Sequence, residues 1–296
     1  MTHPRNDMKS WISAIAAYVA WGIMPLFWRM FEGAPAFHIF IHRCLWAFPF
    51  LVILSRIGRP QSAEVLSLDR GRWPWLLLSG LLIGTNWWLY IIGVERHQVV
   101  EMSLGYFFAP LLTSAFGVLF MREKLSSGQW LGVLLVVCGV AFYSRNQGQV
   151  PMLALGLAVT FSGYSLVKKM IKAPPMSALT AEAGVLFILA CFYLATTPED
   201  TAFMATWERY HWLLILGGTL TALPLLWFAH AMRGLTLTSL SMLNYISPTG
   251  KFLIAVFIFG EVVTIQDFWA FGLVWVGVVV YLAYTYKHSK MPLQPE

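Results

Sequence analysis

The chain has 296 residues, 58% of them hydrophobic and only 11% charged, with a mean hydropathy of +0.66; a soluble domain runs at roughly 45–50% apolar and 25% charged. That balance excludes an ordinary water-soluble globule and puts the chain in lipid, with 14 Trp and 21 Phe to cover lipid-facing and interfacial surface. The net charge of +6 and pI near 9.3 would suit a nucleic-acid binder, but the basic residues sit in short loops between apolar runs, so topology accounts for them and no nucleic-acid partner is expected.

A helix crosses the hydrocarbon core in about 20 residues. Ten apolar runs come close to that length, at 11–30, 37–55, 73–94, 99–121, 127–144, 151–171, 177–197, 210–232, 238–259 and 265–286. The first is long, carries Trp21 and Trp28 and lacks an Ala-x-Ala site, so it reads as a retained helix and not a cleaved signal. Connections are short, the longest being 56–72 and 198–209, which leaves no room for a sizeable soluble domain. Cys44, Cys138 and Cys191 each fall inside an apolar run without CxxC or Cys/His spacing, and read as small apolar filler. No metal site and no cofactor is expected. HExxH, GxSxG and Walker signatures are absent as well, so the chain does not read as an enzyme.

Orientation follows from Lys and Arg. With the N-terminus inside, the inner segments hold fourteen of the twenty basic residues, including Arg56, Arg59, Arg70, Arg72, Lys168, Lys169 and Lys172. The outer segments hold four, Arg29, Arg96, Arg145 and Arg209, while Arg43 and Lys251 lie within spans. Both termini are expected in the cytoplasm.

The chain also repeats itself. Residues 99–143 lie without a gap on 237–281 at an offset of 138, so that Ser103 meets Ser241, Pro110 meets Pro248, Glu123 meets Glu261 and Gly139 meets Gly277. Residues 14–30 lie on 154–170 at an offset of 140. Five spans per half is an odd number, so the second half enters the membrane the other way round. The expected fold is therefore an all-α integral membrane protein, ten transmembrane helices in two inverted five-helix repeats. The halves are 1–145 and 151–286, with a polar linker at 146–150 and a cytoplasmic tail at 287–296.

Local stretches add a likeness. His42-Arg43, Asn86-Trp87, Glu101-x-Ser103-Leu104-Gly105-Tyr106-Phe107 with Pro110, and Tyr245-Ile246-x-Pro248-Thr249, together with helix–Glu–helix at the end of each half, resemble the EamA branch of the drug/metabolite transporter superfamily and, within it, the RarD group of bacterial inner-membrane permeases. The resemblance spans essentially the whole chain. It implies a plasma-membrane solute carrier, usually drawn as an exporter, without implying a substrate. Lys251 departs from it, standing where an apolar or small residue is expected.

A full charge near the bilayer centre costs about 2.5–3.5 kcal/mol on insertion scales, so it should face a cavity or a partner. Arg43 lies about six residues into the second span, roughly 9 Å deep at 1.5 Å per residue. It either binds an anionic solute, pairs with a carboxylate during turnover, or secures helix carbonyls. His42 beside it, with an unperturbed pKa of about 6.5, suits proton carriage or a hydrogen bond to solute; a packed structural histidine is the alternative, as for His38 one turn away. Glu182, the repeat partner of His42, is the leading carboxylate for proton exchange, or else is ion-paired with Arg43, His230 or Lys251. Lys251 either satisfies carbonyls freed by Pro248 or lines the cavity. Asn86, Asn244, Tyr106 and Tyr245 bring hydrogen-bonding groups, and Trp21, Trp87 and Trp88 bring aromatic walls or interfacial anchors. Pro110 and Pro248 are candidate paired hinges or kinks. Glu101 is expected to cap the helix it opens, and Glu123 and Glu261 to brace helix–helix breaks.

The sequence thus points to a carrier in the lipid bilayer that moves a small organic metabolite or drug by alternating access, with protons as a candidate coupling ion. A passive facilitator or channel is the alternative. An integral-membrane enzyme or lipid-handling protein would need acid/base residues clustered near one interface, and the charges are scattered. Nothing in the sequence points to a particular oligomeric state.

Overall fold

The computed structural model describes residues 8–57, 70–121, 125–171, 175–235 and 243–289, and among them the regular structure is helical with no strand. Ten α-helices are bounded within the described residues, in order: α1 Met8–Trp28, α2 Ala36–Ile57, α3 Trp73–Glu95, α4 Val99–Met121, α5 Ser127–Gln147, α6 Met152–Ile171, α7 Pro175–Thr196, α8 Thr201–Gly234, α9 Ile246–Phe257 and α10 Ile265–Ser289. Eight helical stretches among the described residues are long and apolar enough to cross a membrane; the apolar stretches in α6 and α9 are shorter.

Two helices differ from the expected runs. α8 begins at Thr201, nine residues before the expected start, because the Asp200 carboxylate accepts the Phe203 N–H at 2.9 Å and caps a polar first turn that hydropathy alone assigns to a loop. α9, as described, is only twelve residues long. Pro248 lies in its first turn, where a missing N–H costs nothing, whereas Pro110 sits midway along α4.

The helices present apolar residues outward as well as inward, as lipid contact requires. On α1, Ile12, Ile15, Val19, Ile23 and Leu26 are all exposed at helical spacing. Inside, α1 packs against α8 and α9, α6 against α3 and α4, α2 against α7 and α8, α3 against α7, α4 against α9, and α5 against α10. The α5–α10 seam is close enough that a Cβ on Gly139 would meet the Ala270 carbonyl and Val274 Cγ2 at 2.8 Å, and one on Gly277 would meet the Gly132 carbonyl and Val136 Cγ2 at 2.8 Å. Small residues there let two backbones touch.

Several helix starts are capped from other helices. Glu95 at the end of α3 accepts the Ala36 N–H that opens α2, at 3.0 Å. Glu101 of α4 accepts the Leu153 and Ala154 N–H groups at the start of α6, at 3.0 and 3.2 Å. Glu261, between α9 and α10, accepts the Val99 and Val100 N–H groups that open α4, both at 2.8 Å. Each carboxylate meets donors that an α-helix cannot satisfy internally. Glu101 therefore serves α6, not the helix it opens. Glu123 lies outside the described residues.

Candidate functional site

Residues of α1, α2, α3, α4, α6, α8 and α9 converge on a cavity of about 90 Å³. Its walls carry Trp21 and Trp28 from α1, Arg43 from α2, Asn86, Trp87 and Tyr90 from α3, Tyr106 from α4, and Thr221 from α8. Asn244 just before α9, and Ser247 and Lys251 on it, complete the polar lining. This space is well below the approximately 300–1,000 Å³ of a drug-sized pocket. The site is small.

Two buried cations share it. The Arg43 guanidinium, 7% exposed, lies 4.3 Å from the ring centre of Trp87 and 4.9 Å from that of Trp28. Its Nε and Nη1 meet no hydrogen-bond acceptor among the described residues. The Lys251 ammonium, 3% exposed, sits 3.8 Å from the Tyr106 ring centre and 5.6 Å from that of Tyr90, and donates to Ser247 Oγ at 2.8 Å. A desolvated cation–π contact is worth up to about 2 kcal/mol, so two rings offset much of the insertion cost of a charged form. Neither cation has a carboxylate partner among the described residues, where the ion pairs are His38–Asp200 and Lys168–Glu182.

Asn86 fixes part of the cavity wall. Its Nδ2 donates to the Leu157 carbonyl and to Thr160 Oγ1, both at 3.0 Å, and its Oδ1 accepts from the Tyr106 hydroxyl at 3.0 Å. One amide thus ties α3 to α6 and α4. It also holds the Tyr106 ring that faces Lys251.

The other sequence candidates lie elsewhere. Adjacent helical residues point about 100° apart, and while Arg43 faces the cavity, the His42 ring stacks on Phe203 and Trp207 of α8, with centroids 4.1 and 5.6 Å apart. His38 Nε2 reaches Asp200 Oδ2 at 3.2 Å. Glu182, 1% exposed, is paired neither with Arg43 nor with Lys251: Lys168 Nζ lies 3.0 and 3.2 Å from its oxygens, Ser79 Oγ donates at 2.7 Å and the Tyr164 hydroxyl at 3.3 Å. Tyr245 stacks on Phe107 and lies outside the cavity lining. Of the tryptophans, Trp21 and Trp87 line the cavity, while Trp88 is 40% exposed.

A second space of about 350 Å³ opens among the helix ends, lined by His97, Gln98, Glu101, Tyr143, Gln147, Glu261 and Asp267. Burial pushes the Glu261 carboxyl above its ordinary range, opposed by the two N–H groups it accepts and by His97 and Arg29 nearby. Asp200, outside the spans, is held below its ordinary range by the hydrogen bond from Tyr193 and by the Phe203 N–H. Asp267 accepts from Asn146 and Gln147, joining the end of α5 to the start of α10.

Sequence reasoning missed Trp28, Tyr90, Thr221 and Ser247 as cavity residues, and Lys168 as the partner of Glu182. Lys168 stands beside Lys169 near the end of an apolar run and so reads as an interfacial charge. Its place on the face of Glu182 and Ser79 emerges only when α3, α6 and α7 pack. Among the described residues no group of three His, Cys, Asp or Glu could hold a metal ion.

Comparison with known proteins agrees with this architecture. The model of the EamA-like transporter family matches residues 8–145. An uncharacterized transporter of Vibrio cholerae is 35% identical over 95% of this chain and 94% of its own length. The RarD protein of Escherichia coli is 36% identical over 91% of this chain and 92% of its own. A "Protein RarD" of Streptomyces exfoliatus is 33% identical over 89% and 85%. One solved crystal structure superposes with a TM-score of 0.60 at 16% identity, covering 92% of this chain and 96% of the other, a likeness of fold alone.

Proposed function

We propose that this chain, which belongs to the EamA-like transporter family, is a secondary carrier that exports a small organic metabolite or drug across the bacterial inner membrane by alternating access. The observation that carries the reading is the buried central cavity, whose polar groups come from both sequence repeats: Arg43, Asn86 and Tyr106 from the first, Thr221, Asn244 and Lys251 from the second. Several of its relatives bear the name of uncharacterized transporters.

The α5–α10 seam supports two inverted five-helix halves, 1–145 and 151–286, joined by 146–150 and followed by a tail at 287–296. Gly139 against Ala270 and Val274 becomes, at the repeat offset of 138, Gly277 against Gly132 and Val136. Reciprocal contacts of this kind are what a two-fold produces. Exchanging the halves also carries the pairing of α1 with α8 and α9 onto that of α6 with α3 and α4. With an odd number of spans per half the axis lies in the membrane plane, and rocking of the halves exposes the central site to each side in turn. The excess of Lys and Arg puts both termini in the cytoplasm, and the helix ends around Glu261 then face outward.

Glu182 and Lys168 form the coupling pair in this reading. The cluster lies off the cavity, in the half of the membrane nearer the cytoplasm. Proton uptake by Glu182 would release Lys168 and loosen the junction of α3, α6 and α7. The test is flux of a pool of small cellular metabolites into proteoliposomes under an imposed pH gradient, native protein against Glu182→Gln. Accumulation that follows the gradient and disappears in the variant is expected. Equilibration without accumulation, unchanged by the substitution, would replace the coupled carrier with a passive facilitator.

A further inference from the structure

Most buried or partly buried acid groups described in this protein have their complement. Glu182 has Lys168, and Glu101 and Glu261 have backbone N–H groups. Among the described residues Arg43 and Lys251 have no counter-charge, and they share one cavity. The unpartnered polar atoms there can all donate a hydrogen bond. Nε and Nη1 of Arg43, the indole N–H of Trp28 and the hydroxyl of Tyr90 have no hydrogen-bond partner among the described residues. Lys251 offers three donors, and Ser247 takes one. The acceptor oxygen of Asn86 is already engaged by Tyr106, and no carboxylate is among the residues lining the cavity. A wall with spare positive charge and spare donors is complemented by a group that is negative and rich in acceptors.

We propose that the solute is a small organic anion, its carboxylate or phosphate held by Arg43 and Lys251 and its apolar part laid among Trp28, Trp87 and Tyr106; this assignment rests on the carrier reading above. The geometry argues against a purely structural role for the two cations. An arginine that secured helix ends would spend its donors on carbonyls, and two of the three Arg43 nitrogens meet none. Aromatic faces stabilise a buried cation without capping its donors, so the charge stays available. The planar guanidinium takes a two-oxygen anion side-on, and the ammonium adds a point charge from α9.

The test uses solutes matched in skeleton and varied in charge: carboxylate, carboxamide and amine built on acetyl, phenylacetyl and indole-3-acetyl groups, with phenyl phosphate added. Binding to the full chain in nanodiscs is followed by tryptophan fluorescence and thermal protection. At least one anion should bind about tenfold or more tighter than its amide and amine, and Arg43→Gln and Lys251→Met should each remove about tenfold or more of that affinity. Arg43→Lys should restore part of it. Amides or amines binding as tightly as the anions overturn the assignment, as does the absence of any anion binding up to about 10 mM. Because the triplets discriminate within the native protein, a variant that fails to fold does not shield the proposal. Flux in proteoliposomes separates the two claims. Protein-dependent flux of amides with exclusion of carboxylates keeps the carrier and overturns the anion site. Anion binding lost in Arg43→Gln, without flux of any solute, keeps the site and overturns the carrier.

Discussion

Adding one methyl group to the α5–α10 seam tests the packing that the carrier reading depends on. In Gly277→Ala the new Cβ lands 2.8 Å from the Gly132 carbonyl and from Val136 Cγ2, and 3.0 Å from Leu135 Cβ, where ordinary contact begins near 3.4 Å. The carbonyl is backbone and cannot swing aside, so the helices must part by about half an ångström. Overpacking of this kind costs about 1–3 kcal/mol, and the better helix propensity of alanine returns up to about 1 kcal/mol. The net expectation is a loss of about 1–2 kcal/mol, read from denaturant or thermal unfolding in detergent by tryptophan fluorescence. Gly139→Ala, whose Cβ meets the repeat equivalents of the two nearest atoms at 2.8 Å, should cost the same within about 0.5 kcal/mol. The double variant should cost less than the sum, because one separation accommodates both methyls. Gly272→Ala is the control: nothing lies within 4 Å of its Cβ, so it should be neutral or stabilised by up to about 1 kcal/mol. Gly277→Ala as stable as Gly272→Ala, or a large difference between Gly139→Ala and Gly277→Ala, would refute the reasoning.

Other perturbations have signs that follow from the geometry. Lys168→Met strips the cation from Glu182 and should cost about 2–4 kcal/mol, below the full value for a buried pair because the Lys168 side chain is 26% exposed. Adding Glu182→Gln should recover most of that loss in the same unfolding assay. Glu261→Ala frees two N–H groups at the start of α4 and should cost about 1–2 kcal/mol. Because the Glu261 carboxyl is held above its ordinary range in the folded protein, the folded state binds the proton more tightly than the unfolded one. Stability should therefore fall as pH rises from about 4.5 through the raised value, and Glu261→Gln should remove that slope in a pH series of melting curves. Green fluorescent protein fused to the C-terminus should fluoresce, and alkaline phosphatase fused there should be inactive; the opposite pattern would invert the topology.

Helix positions were largely legible because apolar length alone dictates them in lipid. Where a helix start is polar, as at Thr201, the determinant is a single capping carboxylate, and hydropathy does not register it. Arg43 and Lys251 were legible as cavity candidates because charge inside an apolar run demands an explanation. Their aromatic surroundings were not, since Trp28, Trp87, Tyr90 and Tyr106 sit in three separate runs and meet only after packing. His42 and Arg43 are neighbours in sequence yet face different surroundings, which the helical period requires but cannot assign to a direction. The carboxylates were recognisable as helix-end residues. That Glu261 caps a helix 161 residues away and Glu101 one about 50 residues away depends on tertiary contacts with no local signal.

Accessibility of the cavity from each membrane face tests alternating access most directly. A single cysteine at Thr221, in a chain with Cys44, Cys138 and Cys191 replaced, is exposed to a membrane-impermeant maleimide in right-side-out and in inside-out vesicles. The account predicts labelling from both faces. It further predicts that an oxidative cross-link between Val100→Cys and Glu261→Cys abolishes labelling from the face bearing Glu261 and leaves the other intact. Labelling confined to one face, or labelling from both faces that survives the cross-link, would contradict it.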